Sequence, residues 1–150
     1  VGCHLIVGLG ETERQMAGRI QHVRDLGGLT HLFSFYPEAG SLLQDAPQPP
    51  MGQYRRIQMA RYLIDEDLGS ARDFTYDAQG RITGFGAEDD LLERCIRSGQ
   101  PFETSGCPGN DGRVACNRPF ANSRPGPDIR NYPFELEPED VRKVRDELWS

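Results

Sequence analysis

Apolar residues recur along the chain in two rhythms, one of strands and one of helices. Residues 1–8 form a short apolar run of the kind a buried parallel strand needs. Gly8-Leu9-Gly10 then turns the chain, and Thr12-Glu13-Arg14-Gln15 fits a capping box that opens a helix. Met16, Ile20, Val23 and Leu26 repeat at helical spacing, and Gly27-Gly28 closes that helix. Residues 32–36 predict a second strand, rich in aromatics, that runs through Pro37 and Ser41 into a Pro-rich stretch from Pro47 to Pro50. A second helix is predicted over residues 52–66, with Tyr54, Ile57, Ala60 and Ile64 on one face and its arginines in solvent. Residues 73–77 predict a third strand, closed by Gly80, Gly84 and Gly86. Residues 88–98 predict a third helix that buries Leu91, Leu92 and Cys95 and ends at Gly99, and residues 102–104 a short fourth strand. From Ser105 to Pro133 the composition shifts to Gly, Pro, Asn and Arg without periodicity. Glu137-Pro138-Glu139-Asp140 starts a last helix, striped by Val141, Val144 and Leu148.

Strands that alternate with helices imply right-handed βαβ units and a parallel sheet. The fold class expected is therefore α/β, and the spacing suits half of a (β/α) TIM-like barrel better than a doubly wound sheet. Residues 1–104 would be the C-terminal half of that barrel. Residues 105–150 would be an irregular, cysteine-bearing segment with a terminal helix. Half a barrel leaves two open sheet edges, a liability in water. The chain also begins Val1-Gly2-Cys3-His4, inside a predicted strand. Both features lead to the expectation that it is a piece of a longer protein.

With 150 residues the chain has the size of one domain. Its 17 Lys+Arg against 23 Asp+Glu leave a net charge of -6, which argues against a nucleic-acid face and against docking on anionic lipid. No apolar run approaches the roughly 18 residues that a membrane span requires. The first apolar stretch, Leu5-Ile6-Val7, is too short for a secretory signal, so a cytoplasmic location is expected.

Four cysteines follow, Cys3, Cys95, Cys107 and Cys116. Cys3 reads as a small buried hydrophobe. The other three straddle the irregular segment, and three readings compete. A disulfide is disfavoured by the odd number and the missing export signal. Structural zinc would need a fourth ligand, and the spacing lacks a short C-x2-C knuckle. An iron–sulfur cluster needs three or four thiolates and tolerates long spacings. The Gly- and Pro-rich surroundings would let a backbone wrap such a site, and a long structureless segment calls for something that nucleates it. Metal is favoured over bland thiols; spacing does not choose iron over zinc. Separately, the Gly8-Leu9-Gly10 turn sits between a strand and a helix, where β/α proteins bind ligands and where a helix N-terminus favours an anionic group.

Taken together, these pieces resemble the radical SAM superfamily, in its biotin synthase and lipoyl synthase branch. Leu5-Ile6-Val7-Gly8-Leu9-Gly10-Glu11-Thr12 is similar to the family's fifth-strand motif, G-x-I-x-G-x-x-E, with Ile6, Gly8 and Glu11 matching and His4 where the first glycine stands. The resemblance implies that Ile6, Val7 and Gly8 lie against the adenosyl group of S-adenosylmethionine, with Glu11 stabilising the turn. Phe33-Ser34-Phe35-Tyr36-Pro37, with Gly40-Ser41, looks like the sixth barrel strand and its exit, which implies cofactor contacts from Phe35, Tyr36 and Pro37. Asp77-Ala78-Gln79-Gly80-Arg81 is similar, with one inserted residue, to the biotin synthase stretch in which an arginine ligates a cluster.

Thr104-Ser105-Gly106-Cys107-Pro108, Cys116-Asn117-Arg118-Pro119 and Asn131-Tyr132-Pro133 look like the two-component lipoyl synthases. That resemblance implies an auxiliary [4Fe-4S] cluster on Cys95, Cys107 and Cys116, with Ser123 as a candidate fourth ligand. Arg118 and Arg124 would pair with carboxylates of cofactor or substrate, or face solvent. The family's C-x3-C-x2-C, which binds the cluster that cleaves S-adenosylmethionine, does not occur in the chain. That second [4Fe-4S] cluster is expected on an N-terminal part upstream of Val1, and no catalytic residue is assigned here. The activity implied is sulfur insertion into a protein-bound octanoyl chain. Its partners would be a lipoyl-carrier protein, a second radical SAM subunit, and an electron donor such as ferredoxin or flavodoxin. Two alternatives stand beside it: a biotin-synthase-like or other radical SAM enzyme whose auxiliary cluster carries electrons or anchors substrate, and a zinc-stabilised, non-catalytic module that docks a partner.

Overall fold

The computed structural model describes residues 1–108, 114–116 and 123–150. The chain opens with one βαβ unit. Strand β1 (Gly2–Val7) pairs in parallel with β2 (Leu29–Ser34), and helix α1 (Glu13–Asp25) crosses between them. The expected capping box is present: Thr12 Oγ1 accepts from the Gln15 amide at 3.1 Å, and Gln15 Oε1 accepts from the Thr12 amide at 2.9 Å. Gly27, at φ 79, ends the helix in the left-handed region that costs glycine least. Met16 and Ile20 are buried as the spacing predicts, but Leu26, in the cap, is exposed.

The register alternates the sheet's two faces. Leu5 and Val7 on β1, with Thr30 and Leu32 on β2, turn toward the helices and the core. His4 and Ile6, with their partners His31 and Phe33, lie on the other face. No helix covers that face among the described residues, and Ile6 is 47% exposed.

Helix α2 (Met51–Asp65) is the centre of the molecule and is buried on nearly all sides. The expectation that its arginines face solvent is wrong. Arg55, Arg56 and Arg61 are all buried, because partners arrive from distant parts of the chain. Arg55 donates to Glu147 Oε2 at 2.8 Å and to the Ile129 carbonyl at 2.8 Å. Arg56 forks onto Glu13 at 2.7 to 3.1 Å and reaches the Leu148 carbonyl at 2.9 Å. Each buried guanidinium thus has acceptors, the condition for keeping a charge out of water.

Beyond α2 the parallel alternation stops. Strands β3 (Thr75–Tyr76) and β4 (Ile82–Gly84) form an antiparallel hairpin. The reason is local: a parallel pair needs a crossover of about a dozen residues, and this link is far shorter. Asp77 Oδ1 accepts from the Gln79 and Arg81 amides, both at 2.9 Å, and folds the link into a turn. Helix α3 (Asp89–Ser98) ends at left-handed Gly99 and buries Cys95 and Ile96. The expected fourth strand is instead a 3-10 turn (Gln100–Phe102), after which Glu103 makes one parallel bridge to Tyr132. Two short strands, β5 (Cys107–Pro108) and β6 (Val114–Cys116), pair antiparallel. Helix α4 (Pro138–Leu148) closes the chain with Val144 and Leu148 inside.

The fold is mixed α/β. Its described strands form three separate two-stranded sheets, and among the described residues no TIM barrel is evident. One core runs through it, from Val7 on β1 to Leu148 on α4.

Candidate cofactor cleft and cysteine hairpin

The turn after β1 is held by its own side chain. Glu11 accepts from the amides of Gly8 and Leu9, both at 2.8 Å, with one carboxylate oxygen each. Gly8 and Gly10 have φ near 105 and 104, a region open to glycine. A Cβ at Gly8 would sit 2.6 Å from Pro49 Cδ, so the proline-rich strap also requires glycine there. The role implied for Glu11 in stabilising the turn matches this geometry. The turn as a seat for an anionic group does not, because the amides that would bind one already hold a carboxylate. The Arg14 amide at the start of α1 is likewise taken, by the Gly80 carbonyl at 2.9 Å.

Two adjoining clefts open beside this turn. One, of about 420 Å3, lies between Gly8–Glu11 and the strap of Pro47 to Pro50, with Phe35 and Gln53 at its side. The other, of about 1010 Å3, spreads over the open face of the β1–β2 sheet. Its walls are apolar, with His4, Ile6, Phe33, Phe35 and Tyr36 on the sheet side and Leu42 and Leu43 opposite. Leu9, Phe35 and Leu43 line both. Arg130 braces the strap, donating to the Pro49 carbonyl at 2.6 Å.

Of the expected cofactor contacts, Ile6, Gly8, Glu11, Phe35 and Tyr36 come together around these clefts. Val7 does not: its side chain is fully buried on the opposite face of β1, as alternation along a strand requires. Pro37 is half-buried and lines neither cleft.

His4 stacks edge-on against Phe33 with centroids 5.4 Å apart, and its ring lies 5.3 Å from that of His31. Burial, then the neighbouring His4, push the His31 pKa below its ordinary value. His31 Nδ1 is 2.9 Å from Ser105 Oγ, where the irregular segment leaves the body of the protein. The segment returns at Arg124, whose guanidinium carbon lies 3.2 Å above the Tyr36 ring centroid. The segment that carries the cysteine hairpin is thus tethered, at Ser105 and at Arg124, to residues of the sheet's open side.

On that hairpin Cys107 and Cys116 are register partners, placed by the backbone alone; their side chains, and Arg118, lie outside the described residues. Cys95 is 5% exposed in α3, and burial pushes its thiol up. Ser123, named as a fourth ligand, is buried beside Arg124. Arg81 is exposed and donates to the Ser150 carbonyl at 3.0 Å. Among the described residues no group of three or more His, Cys, Asp or Glu converges as for a metal ion, and no helix is long and apolar enough to cross a membrane.

Sequence reasoning missed a buried polar cluster that fixes the outer edge of β2. Asn131 Oδ1 accepts from Tyr54 at 3.0 Å and from Gln58 at 2.9 Å, while its amide donates to the Leu32 carbonyl at 3.3 Å. Burial raises the Tyr54 phenol far above its ordinary value. The available signal was apolar residues around the whole circumference of α2, with Tyr54, Ile57, Met59, Ala60 and Leu63 too many for one stripe.

Comparison with protein-family models, with curated proteins and with solved structures finds no match for this chain.

Proposed function

We propose that this chain is the C-terminal part of a radical SAM sulfur-insertion enzyme of the lipoyl synthase kind, acting on a protein-bound octanoyl chain. The observation that carries the reading is the apolar cleft on the open face of β1 and β2, reaching the C-terminal ends of two parallel strands. That end is where β/α proteins gather their ligands. In this reading β1 and β2 are neighbouring strands of a (β/α) barrel, and His4, Ile6 and Phe33 face its interior.

The residues present fit the groups such an enzyme uses. With the Gly8 and Leu9 amides held by Glu11, the turn offers little to a phosphate. Apolar walls and backbone suit an adenosyl group and an aliphatic chain, from which Ile6, Phe35 and Tyr36 would exclude water. Cys107 and Cys116 share a register position and would hold an auxiliary [4Fe-4S] cluster, which when bound supplies the sulfide for insertion. Cys95 would be the third ligand; its buried thiol must lose a proton, which coordination to a metal drives. Cleavage of S-adenosylmethionine is assigned to a C-x3-C-x2-C cluster that this chain does not carry.

The test is the iron, sulfide and zinc content of the chain after anaerobic reconstitution. About four iron and four sulfide per chain are expected, as for a [4Fe-4S] centre, with both lost on Cys107→Ser or Cys116→Ser. Zinc without sulfide would overturn the reading. Retention of the full iron content in Cys95→Ser would remove Cys95 from the ligand set.

A further inference from the structure

We propose that Cys107 and Cys116 form a thiol–disulfide couple, so that when no metal occupies them they oxidise to a bridge that staples the β5–β6 hairpin. The proposal goes beyond the radical SAM reading and does not depend on it.

The backbone register carries the argument. Cys107 and Cys116 are direct partners in an antiparallel pair, beside a register shift between Cys107 and Pro108. Residues directly opposite in such a pair have Cα atoms about 5.5 Å apart at hydrogen-bonded sites and about 4.5 Å apart at the others. A disulfide spans Cα separations of about 4.4 to 6.8 Å, so both kinds of site meet its requirement. The hairpin also has reason to need a staple. Its strands are Cys107–Pro108 and Val114–Cys116, and an isolated two-stranded hairpin is marginal in water. The tethers described above, Ser105 to His31 and Arg124 to Tyr36, fasten the ends of the segment but not one strand to the other.

The other two cysteines are poor competitors. Cys95 is enclosed in the core, where a disulfide reagent has little access to it. Cys3 is half-buried within β1, opposite Thr30.

The chemistry is exchange with a small disulfide such as oxidised glutathione. One thiolate attacks the glutathione disulfide, releases one glutathione thiol and leaves a mixed disulfide. The second thiolate displaces the second glutathione. Two protein thiols are oxidised to one disulfide, one glutathione disulfide is reduced to two thiols, and the two protons pass to the released glutathione.

The test uses the full chain, stripped of metal with a chelator, held in oxidised glutathione, alkylated and digested with trypsin. Cleavage after Arg97, Arg113 and Arg130 puts Cys107 and Cys116 on the peptides of residues 98–113 and 114–130, with Cys3 and Cys95 on others. The expected result is those two peptides joined, two hydrogens lighter than their sum, with free thiols reduced from four to about two. Cys95→Ser should give the same joined pair, and Cys116→Ser should stop at a glutathione adduct on Cys107. Glutathione adducts on both cysteines without a joined pair would overturn the proposal. So would a bridge to Cys95, or four thiols that stay reduced. Iron binding is not part of this readout, so loss of the cluster reading and loss of the couple are separate outcomes.

Discussion

Replacing Arg56 by Met removes the charge at the busiest junction of the core. The Arg56 guanidinium is 3% exposed and meets both carboxylate oxygens of Glu13, as well as the carbonyls of Leu148 and Ser150. Glu13 in turn accepts from the Ile82 amide at 2.7 Å. One side chain therefore ties α1, α2, β4 and the end of α4. In Arg56→Met the Glu13 carboxylate stays buried with only the Ile82 amide to hold it. Breaking one side of such a pair costs about 3 to 5 kcal/mol. Domains of this size hold about 5 to 15 kcal/mol in total, so the variant should fold but sit near its limit. With a urea slope of about 2 kcal/mol per molar, the unfolding midpoint should fall by about 2 M. Trp149 is the one tryptophan, packed 5.7 Å from Phe85 at the end of α4, and its fluorescence reports the transition. The double variant Glu13→Leu with Arg56→Met removes both charges. It leaves the Ile82 amide and the Leu148 carbonyl unmet, at about 1 to 3 kcal/mol each. Its loss should therefore be smaller than the sum of the two single losses. A midpoint shift under about 0.5 M for Arg56→Met, roughly 1 kcal/mol on the same slope, would refute the reasoning. Strict additivity in the double variant would do the same.

Two further outcomes are expected. Gly8→Ala combines a left-handed φ with an approach of 2.6 Å to Pro49, whereas Gly10→Ala has a similar φ and no heavy atom within 4 Å. Gly10→Ala should lose about 1 to 2 kcal/mol from the backbone alone. Gly8→Ala should lose clearly more in the same urea titration, and equal losses would show that the strap does not press on the turn. For pH, His31 has its folded pKa below the unfolded value of about 6.5, so folding is penalised once the unfolded state starts to bind the proton. The His31 contribution is fully present above pH 6.5 and is lost as pH falls through the folded pKa. Asp65 and Glu103, both raised by burial, act in the opposite sense, so the comparison is made against His31→Gln. Between about pH 7.5 and 5.5 the urea midpoint of the native chain should fall relative to that variant. Parallel midpoints would remove the assignment.

What could be read from the residues in order was whatever neighbours along the chain decide. Thr12 and Gln15 close a capping box within one turn, and Gly27 and Gly99 end helices by left-handed conformations. The likeness of Gly8 to Glu11 to a cofactor-facing turn rested on the same local information, and Glu11 does hold that turn. The order of strands was less accessible. A run such as residues 73–77 has strand character whether its partner lies beyond a helix or beyond a tight turn, and the Asp77 turn chose the hairpin.

Local sequence thus set where helices start and stop and which residue types are available for chemistry. That Arg55, Arg56 and Arg61 are interior was decided by the assembled fold, because acceptors for them lie 40 to 92 positions further along the chain. It also decided that Cys107 and Cys116 are backbone register partners while Cys95 lies in the core. Burial of a charge depends on groups distant in sequence. Local spacing does not encode that distance; it becomes short only when the core assembles.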